Sequence, residues 1–254
     1  MYLGDTGRGP YANKSELLIG EYVTGLIEQL RLFAPKHVVI GCNVMAAVAL
    51  GGLRGKFVDF GISGIVDAAA RAATERAGQG RTPLIGVVAP EATIRSKAYE
   101  RAIHRRRHHA RMLLRPAPLL DALAEEGREE DDVLLRLALR QYINPMVARG
   151  ANVIVLGSGW HSLFKRQVQR IAGDGVAIVD SAESCAQDVA RRLLANGLMR
   201  GGDPSGAVHC LLTDETPRFA FLARRLLGFD VESPKVIAVN DLYRESAEQI
   251  RVSA

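Results

Sequence analysis

The sequence predicts an α/β fold built on a mainly parallel sheet with helices on both faces. Two observations carry this. Short runs of branched apolar residues alternate with longer stretches whose apolar residues recur every three to four positions. The short runs are apolar throughout, not apolar on alternate residues, as strands covered on both sides must be. The composition agrees: 48% hydrophobic and 24% charged residues in 254 are ordinary for a globular chain with room for a real core.

The elements follow in order. Residues 2–15, YLGDTGRGPYANKS, read as a loop because Gly, Pro and Asn recur in them. Ser15 is placed to cap a helix over ELLIGEYVTGLIEQLRLFA. KHVVIGCN is a strand with its exit, and VMAAVALGGLR a helix. VDFGISGIVDAAARAATERA repeats strand, turn and helix, and TPLIGVVAPEATIRSKAYERAIHRRRHHARMLL does so again. VLLRLALRQYINPMVARG is helical. ANVIVLGSGWHSLFKRQVQRI and VAIVDSAESCAQDVARRLLANG are two further strand–helix units. AVHCLLTDETPRFAFLARRLLG and SPKVIAVNDLY close the chain.

In parallel sheets, ligands bind beyond the carboxyl ends of the strands. Three such exits stand out: Gly41-Cys42-Asn43, Ala89-Pro90-Glu91-Ala92-Thr93 and Gly157-Ser158-Gly159-Trp160-His161. All are small or polar, and each precedes a helix start, which favours an anionic ligand such as a carboxylate or phosphate.

Charge and cysteine usage exclude several classes. Lys and Arg total 33 against 28 Asp and Glu, a net charge of +5, which permits a polyanion partner without requiring one. The basic stretch HRRRHHAR, residues 104–111, is read on a helix without aromatic interleaving, hence as a solvated face and not a nucleic-acid site. His104 and His108 have helical i, i+4 spacing, but no third metal ligand is evident. Three cysteines, Cys42, Cys185 and Cys210, do not make a disulfide framework. Cys185 and Cys210 read as core residues. No signal-like segment or apolar run of membrane-spanning length occurs, so a cytoplasmic protein is expected.

Taken together, GDTGRGPYANKS, GCNVMAAVAL, EATIRSKAYERAI, PLLDALAEEG, LGSGWHSLF, VDSAESCAQDVARRLL and LLTDETPRF resemble, in order and nearly end to end, the glutamate racemases of the aspartate/glutamate racemase superfamily. The resemblance implies two α/β half-domains, residues 1–66 plus 180–254 and residues 67–179, with the active site in the cleft between them. It implies glutamate or a related amino acid as substrate, no cofactor or metal, no nucleic-acid or membrane partner, and a homodimer left open. The activity it implies is racemisation by Cα proton transfer between two cysteines, supplying D-glutamate for peptidoglycan. Cys42 matches the first cysteine, and a helix N-terminus there is expected to lower its pKa. By the same resemblance Tyr11, Ala12, Asn43, Val44, Thr93, Gly159 and Trp160 fall at substrate-binding positions, and Glu125 and His161 at supporting ones.

The chain departs from the family motif where the second cysteine belongs. Gly-Cys-Thr-His-Tyr-Pro reads Gly157-Ser158-Gly159-Trp160-His161-Ser162 here, so Ser158 takes the second catalytic position. Val44 replaces a threonine and Ala12 a glycine. The family strand bearing an Asp-Ser pair lies upstream of what matches Met1. One thiol serves one face of Cα. The expectation is therefore little net racemisation of glutamate, with exchange confined to the D form, which the first cysteine serves. The alternative is a one-cysteine relative that does not racemise, of lyase or decarboxylase type or a binding protein.

Overall fold

A computed structural model describes residues 1–78, 82–129, 131–201, 206–215, 217–231 and 234–239. Every strand pairing in them is parallel. The central sheet has the order β5-β4-β6-β7. Its strands are β4 (Leu84–Ala89), β5 (Arg111–Pro116), β6 (Val153–Leu156) and β7 (Ala177–Asp180). The remaining strands form two smaller sheets: β1 (Tyr2–Gly4), β8 (Cys210–Leu212) and β9 (Lys235–Val236) in the order β1-β8-β9, and β2 (His37–Ile40) beside β3 (Gly61–Gly64).

The all-apolar runs do what the pattern requires. All six residues of β4 and all four of β6 are buried. Successive side chains of a strand point to opposite faces, and the core divides accordingly. Ile85, Val87, Val153 and Val155 join one hydrophobic cluster, with helices α1 (Glu16–Arg31), α2 (Asn43–Lys56), α3 (Ile65–Arg76) and α5 (Ala98–His104). Leu84, Val88, Ile154 and Leu156 join the other, with α6 (Pro118–Glu125), α7 (Val133–Ala148) and α8 (Lys165–Ala172). The short α4 (Glu91–Arg95) follows β4, and α9 (Ser181–Ala195) follows β7. The last helix, α10, spans Pro217–Leu227. Ser15 caps α1 as expected, its side chain accepting from the Leu18 N–H.

Two expectations need correction. Residues 2–4 are not loop but strand β1, paired in register with residues 210–212; a three-residue strand bounded by Gly4 has no periodicity to read. The stretch 104–111 is not a helical face. Helix α5 ends at His104, residues 105–106 and 108–109 lie in turns, and Arg111 opens β5. The i, i+4 spacing of His104 and His108 is therefore not realised. Arg105 pairs with Asp67 at 2.9 Å, Arg106 donates to the Ala102 carbonyl, and Arg107 to that of Gly78. Of SPKVIAVNDLY, Ser233 and residues 240–243 lie outside the described residues.

Candidate active site

Strand β2 buries Val38 and Ile40 in the core and ends at Gly41. Cys42 follows in extended backbone (φ −83°, ψ 125°) as the N-cap of α2, half-buried, with its thiol at the start of the helix. Burial pushes the thiol above its ordinary value. The backbone N–H groups of Met45 and Val44 pull the other way, and the negative charge of Asp121 adds to the rise. The expected lowering by the helix N-terminus is thus corrected. The helix contribution is present, but desolvation and a nearby carboxylate outweigh it.

Asn43 fixes where this thiol sits. Its amide Oδ1 accepts from the Tyr99 hydroxyl at 2.8 Å, and its Nδ2 donates to Ser181 Oγ at 3.2 Å. Tyr99 comes from α5 and Ser181 from the exit of β7. The start of α2 is therefore tied, through Tyr99 and Ser181, to the carboxyl end of the central sheet. The Asn43 side chain is spent on this link. Val44, at a substrate-binding position by resemblance, is 5% exposed and packs in the core; an aliphatic side chain at that register is drawn inward.

The opposite wall is built by neighbouring strand exits. The Ala117 N–H donates to the Ala89 carbonyl at 3.0 Å, and the Gly157 N–H to the Val88 carbonyl at 2.7 Å. Gly157 is needed for this approach: a Cβ there would lie 2.8 Å from Ala89 Cβ and 3.2 Å from the Val88 oxygen. After Ala117, α6 opens with Pro118, a good first residue for a helix, and its first turn carries Asp121. Ser158, 5% exposed, donates through Oγ to Asp121 Oδ1 at 2.7 Å. His161, 1% exposed, places Nε2 3.3 Å from the same oxygen, close enough to feel the charge but not aligned as a hydrogen bond. A plain turn residue would not be buried and bonded in this way, so Ser158 belongs to a polar cluster.

The remaining expected residues fall as follows. Thr93, in the first turn of α4, is fully buried and its Oγ1 has no hydrogen-bond partner among the described residues. Gly159 is exposed with open space where a Cβ would point. Trp160 is half-buried and packs on the cluster of α6, α7 and α8. Glu125 ends α6 exposed, whereas Asp121, one turn earlier, is the carboxylate that reaches His161. Tyr11 is half-buried beside a half-buried Ala12, and its hydroxyl donates to Asp5 Oδ2. Cys185 and Cys210 are buried, and burial pushes both thiols up.

Two carboxylates escaped the sequence reading. Asp5, at the exit of β1, pairs with Arg8 at 2.8 Å and accepts from Thr213 Oγ1 at 2.9 Å, while the Gly7 N–H donates to Thr213. This network holds the Tyr11 loop against β8. Asp121 carried one signal, an acid in the otherwise apolar turn PLLDALA.

Residues 11–189 match the model of the Asp/Glu/Hydantoin racemase family. A protein from Neisseria meningitidis serogroup A named glutamate racemase is 34% identical over 239 residues, covering 94% of this chain and 87% of its own length. One of the same name from Chlorobaculum parvum is 30% identical over 94% of this chain and 86% of its own. Among solved structures, a glutamate racemase isoform from Bacillus anthracis superposes with a TM-score of 0.84 at 26% identity, covering 94% of this chain and 86% of its own. The Thermus thermophilus glutamate racemase, solved with β-chloro-D-alanine, gives 0.79 at 29% identity, with 94% and 87% covered. The fold is thus the two-domain α/β fold of these glutamate racemase structures, parallel sheets flanked by helices. The chain belongs to the Asp/Glu/Hydantoin racemase family and, within it, groups with the proteins named glutamate racemase.

Proposed function

We propose that this chain catalyses cofactor-independent Cα proton transfer on glutamate or a close acidic analogue, with Cys42 as the acid/base on one face. The observation that carries this is the place of Cys42: a half-buried thiol at the start of α2, pinned through Asn43 to Tyr99 and Ser181 at the end of the central sheet. A thiol here accepts the Cα proton as thiolate and returns it as thiol. Thr93 Oγ1, buried and free of protein partners among the described residues, suits a substrate carboxylate, and Tyr11, bonded to Asp5, packs against the same core cluster as Cys42. The half-domain boundaries, residues 1–66 plus 180–254 and 67–179, belong to this reading. So do a cytoplasmic setting and supply of D-glutamate to the cell wall.

The second reading is one-sided proton transfer without inversion. The observation favouring it is Ser158 at the second position, with Cys185 and Cys210 both buried in the core. Chiral analysis of glutamate, beside Cα hydrogen exchange in D2O followed by NMR, separates the two. The proposal expects exchange of D-glutamate that Cys42→Ala abolishes. A folded wild-type chain that exchanges neither enantiomer overturns it, and exchange without inversion selects the second reading.

A further inference from the structure

We propose that Asp121 is the acid/base group facing Cys42 across the crevice, with Ser158 and His161 as the residues that position it. The inference rests on the proposed Cα proton transfer and names its second proton carrier.

Several observations converge on this carboxylate. It stands on α6 after the exit of β5 and bonds Ser158 at the exit of β6, while the neighbouring exit of β4 leads into α4, which packs on the Cys42 helix. Its side chain is 20% exposed, so it is neither sealed in the core nor dispersed in solvent. Its two protein contacts both fall on Oδ1: the Ser158 hydroxyl at 2.7 Å and His161 Nε2 at 3.3 Å. Among the described residues no partner takes Oδ2, so the oxygen left over is the one able to receive a proton. His161 is almost wholly buried, and neither ring nitrogen has a hydrogen-bond partner. A buried imidazole left so open is paired with Asp121 or with nothing. Finally, the charge of Asp121 reaches the Cys42 thiol, one of the forces holding that thiol protonated. A carboxylate ready to accept and a thiol ready to donate is the pairing an inversion requires.

The step balances. Asp121 Oδ2 takes the proton from one face of Cα, and the C–H electron pair moves into the adjacent substrate carboxylate. The Cys42 S–H bond breaks as its proton is delivered to the opposite face, leaving a thiolate and a carboxylic acid. The reverse direction runs the same transfers backwards. Ser158 itself is too weak an acid to share this exchange. Its hydroxyl and His161 fix Oδ1 so that Oδ2 keeps one direction, an arrangement that pre-organises the base. This differs from the expectation drawn from Ser158 alone: a second proton carrier is present, one helix away from where the motif placed it.

The test has two arms on the full chain. In the first, D- and L-glutamate are incubated separately in D2O with wild type, Asp121→Asn and Asp121→Glu, and Cα exchange and inversion are followed by NMR and chiral chromatography. Wild type is expected to invert. Asp121→Asn should keep exchange of D-glutamate, the enantiomer assigned to Cys42, and lose that of L-glutamate by roughly 10²–10⁴-fold. Cys42→Ala should show the opposite pattern. In the second arm, the alkylation rate of Cys42 by iodoacetamide at fixed mildly alkaline pH is read by peptide mass spectrometry. Asp121→Asn should raise it by roughly two- to tenfold, because a negative charge that disfavours the thiolate has gone. Asp121→Glu keeps the charge and should leave this rate near wild type while slowing L-glutamate exchange, which a general loss of folding would not do. Inversion by Asp121→Asn at the wild-type rate, or an unchanged Cys42 alkylation rate, overturns the inference while leaving Cys42 chemistry standing. Exchange of neither enantiomer by folded wild type overturns the proposed function and this assignment with it.

Discussion

Replacing Tyr99 by Phe deletes one oxygen from the link that holds the Cys42 helix to the central sheet. The Tyr99 hydroxyl is 2.8 Å from Asn43 Oδ1, and the two residues are 2% and 3% exposed. Water has no ready route to replace the lost donor, so Asn43 Oδ1 is left buried and unsatisfied, at a cost of about 1–3 kcal/mol. The phenyl ring keeps its packing, so no cavity adds to this figure. With a urea dependence of roughly 2–3 kcal/mol per molar, the unfolding midpoint should fall by about 0.3–1.5 M. Burial pushes the Tyr99 hydroxyl far above its ordinary value, so the bond survives through alkaline pH and the loss should not depend on buffer. The sharper measurement is a double-mutant cycle with Asn43→Ala. Once Asn43 has gone, removing the Tyr99 hydroxyl can break only its contact with Ser181, so the further loss in the double variant should be smaller than the loss that Tyr99→Phe causes in the wild type. Additivity within about 0.3–0.5 kcal/mol would show that the two side chains act independently, and the account of how Cys42 is positioned would then be wrong.

Three further outcomes follow from the same geometry. Gly157→Ala should destabilise by about 1–3 kcal/mol through overpacking, because its Cβ would stand 2.8 Å from Ala89 Cβ; an unchanged melting temperature would refute the close approach. Asp5→Asn removes the buried carboxylate that Arg8 pairs with and Thr213 donates to and should cost about 3–5 kcal/mol, with protease cleavage appearing first in the Tyr11 loop; stability within about 0.5 kcal/mol of wild type, roughly the spread of neutral surface changes, would argue against it. The Cys42 thiol, raised chiefly by burial, holds its proton more tightly folded than unfolded. Its stabilising contribution is present below the ordinary thiol value and is lost as pH rises through the folded one, and its alkylation midpoint should lie above that of a free thiol. A midpoint below it contradicts the assignment.

The strands were legible wherever burial on both faces left an unbroken apolar run, as in β4 and β6. They were not legible where the run was three residues long: β1 is recognised only through its pairing with β8, a contact between residues 208 positions apart. The thiol wall of the site could be read because a strand exit and a helix start flank Cys42. The carboxylate wall could not, because Asp121 is placed by the crossing of α6 over the exit of β6, a tertiary fact. Motif spacing pointed instead to Ser158, and the structure shows that serine bonded to the aspartate. The basic stretch at 104–111 misled for the opposite reason: a helical period was assumed past the residue where α5 ends.

The pairing of β1 with β8 also sets a timetable for the ribosome. Asp5 and the Tyr11 loop are made some two hundred residues before the partners that hold them, Cys210 to Thr213. During translation the four-stranded sheet, with its Asp121 wall, can close on neighbouring segments as they emerge, since none of its strands waits for anything beyond residue 180. The edge of β1 waits unpaired until more than two hundred residues have been added. Contacts of such long sequence separation form slowly, so a newly made chain should pass through a state with one wall of its crevice finished and the other still open.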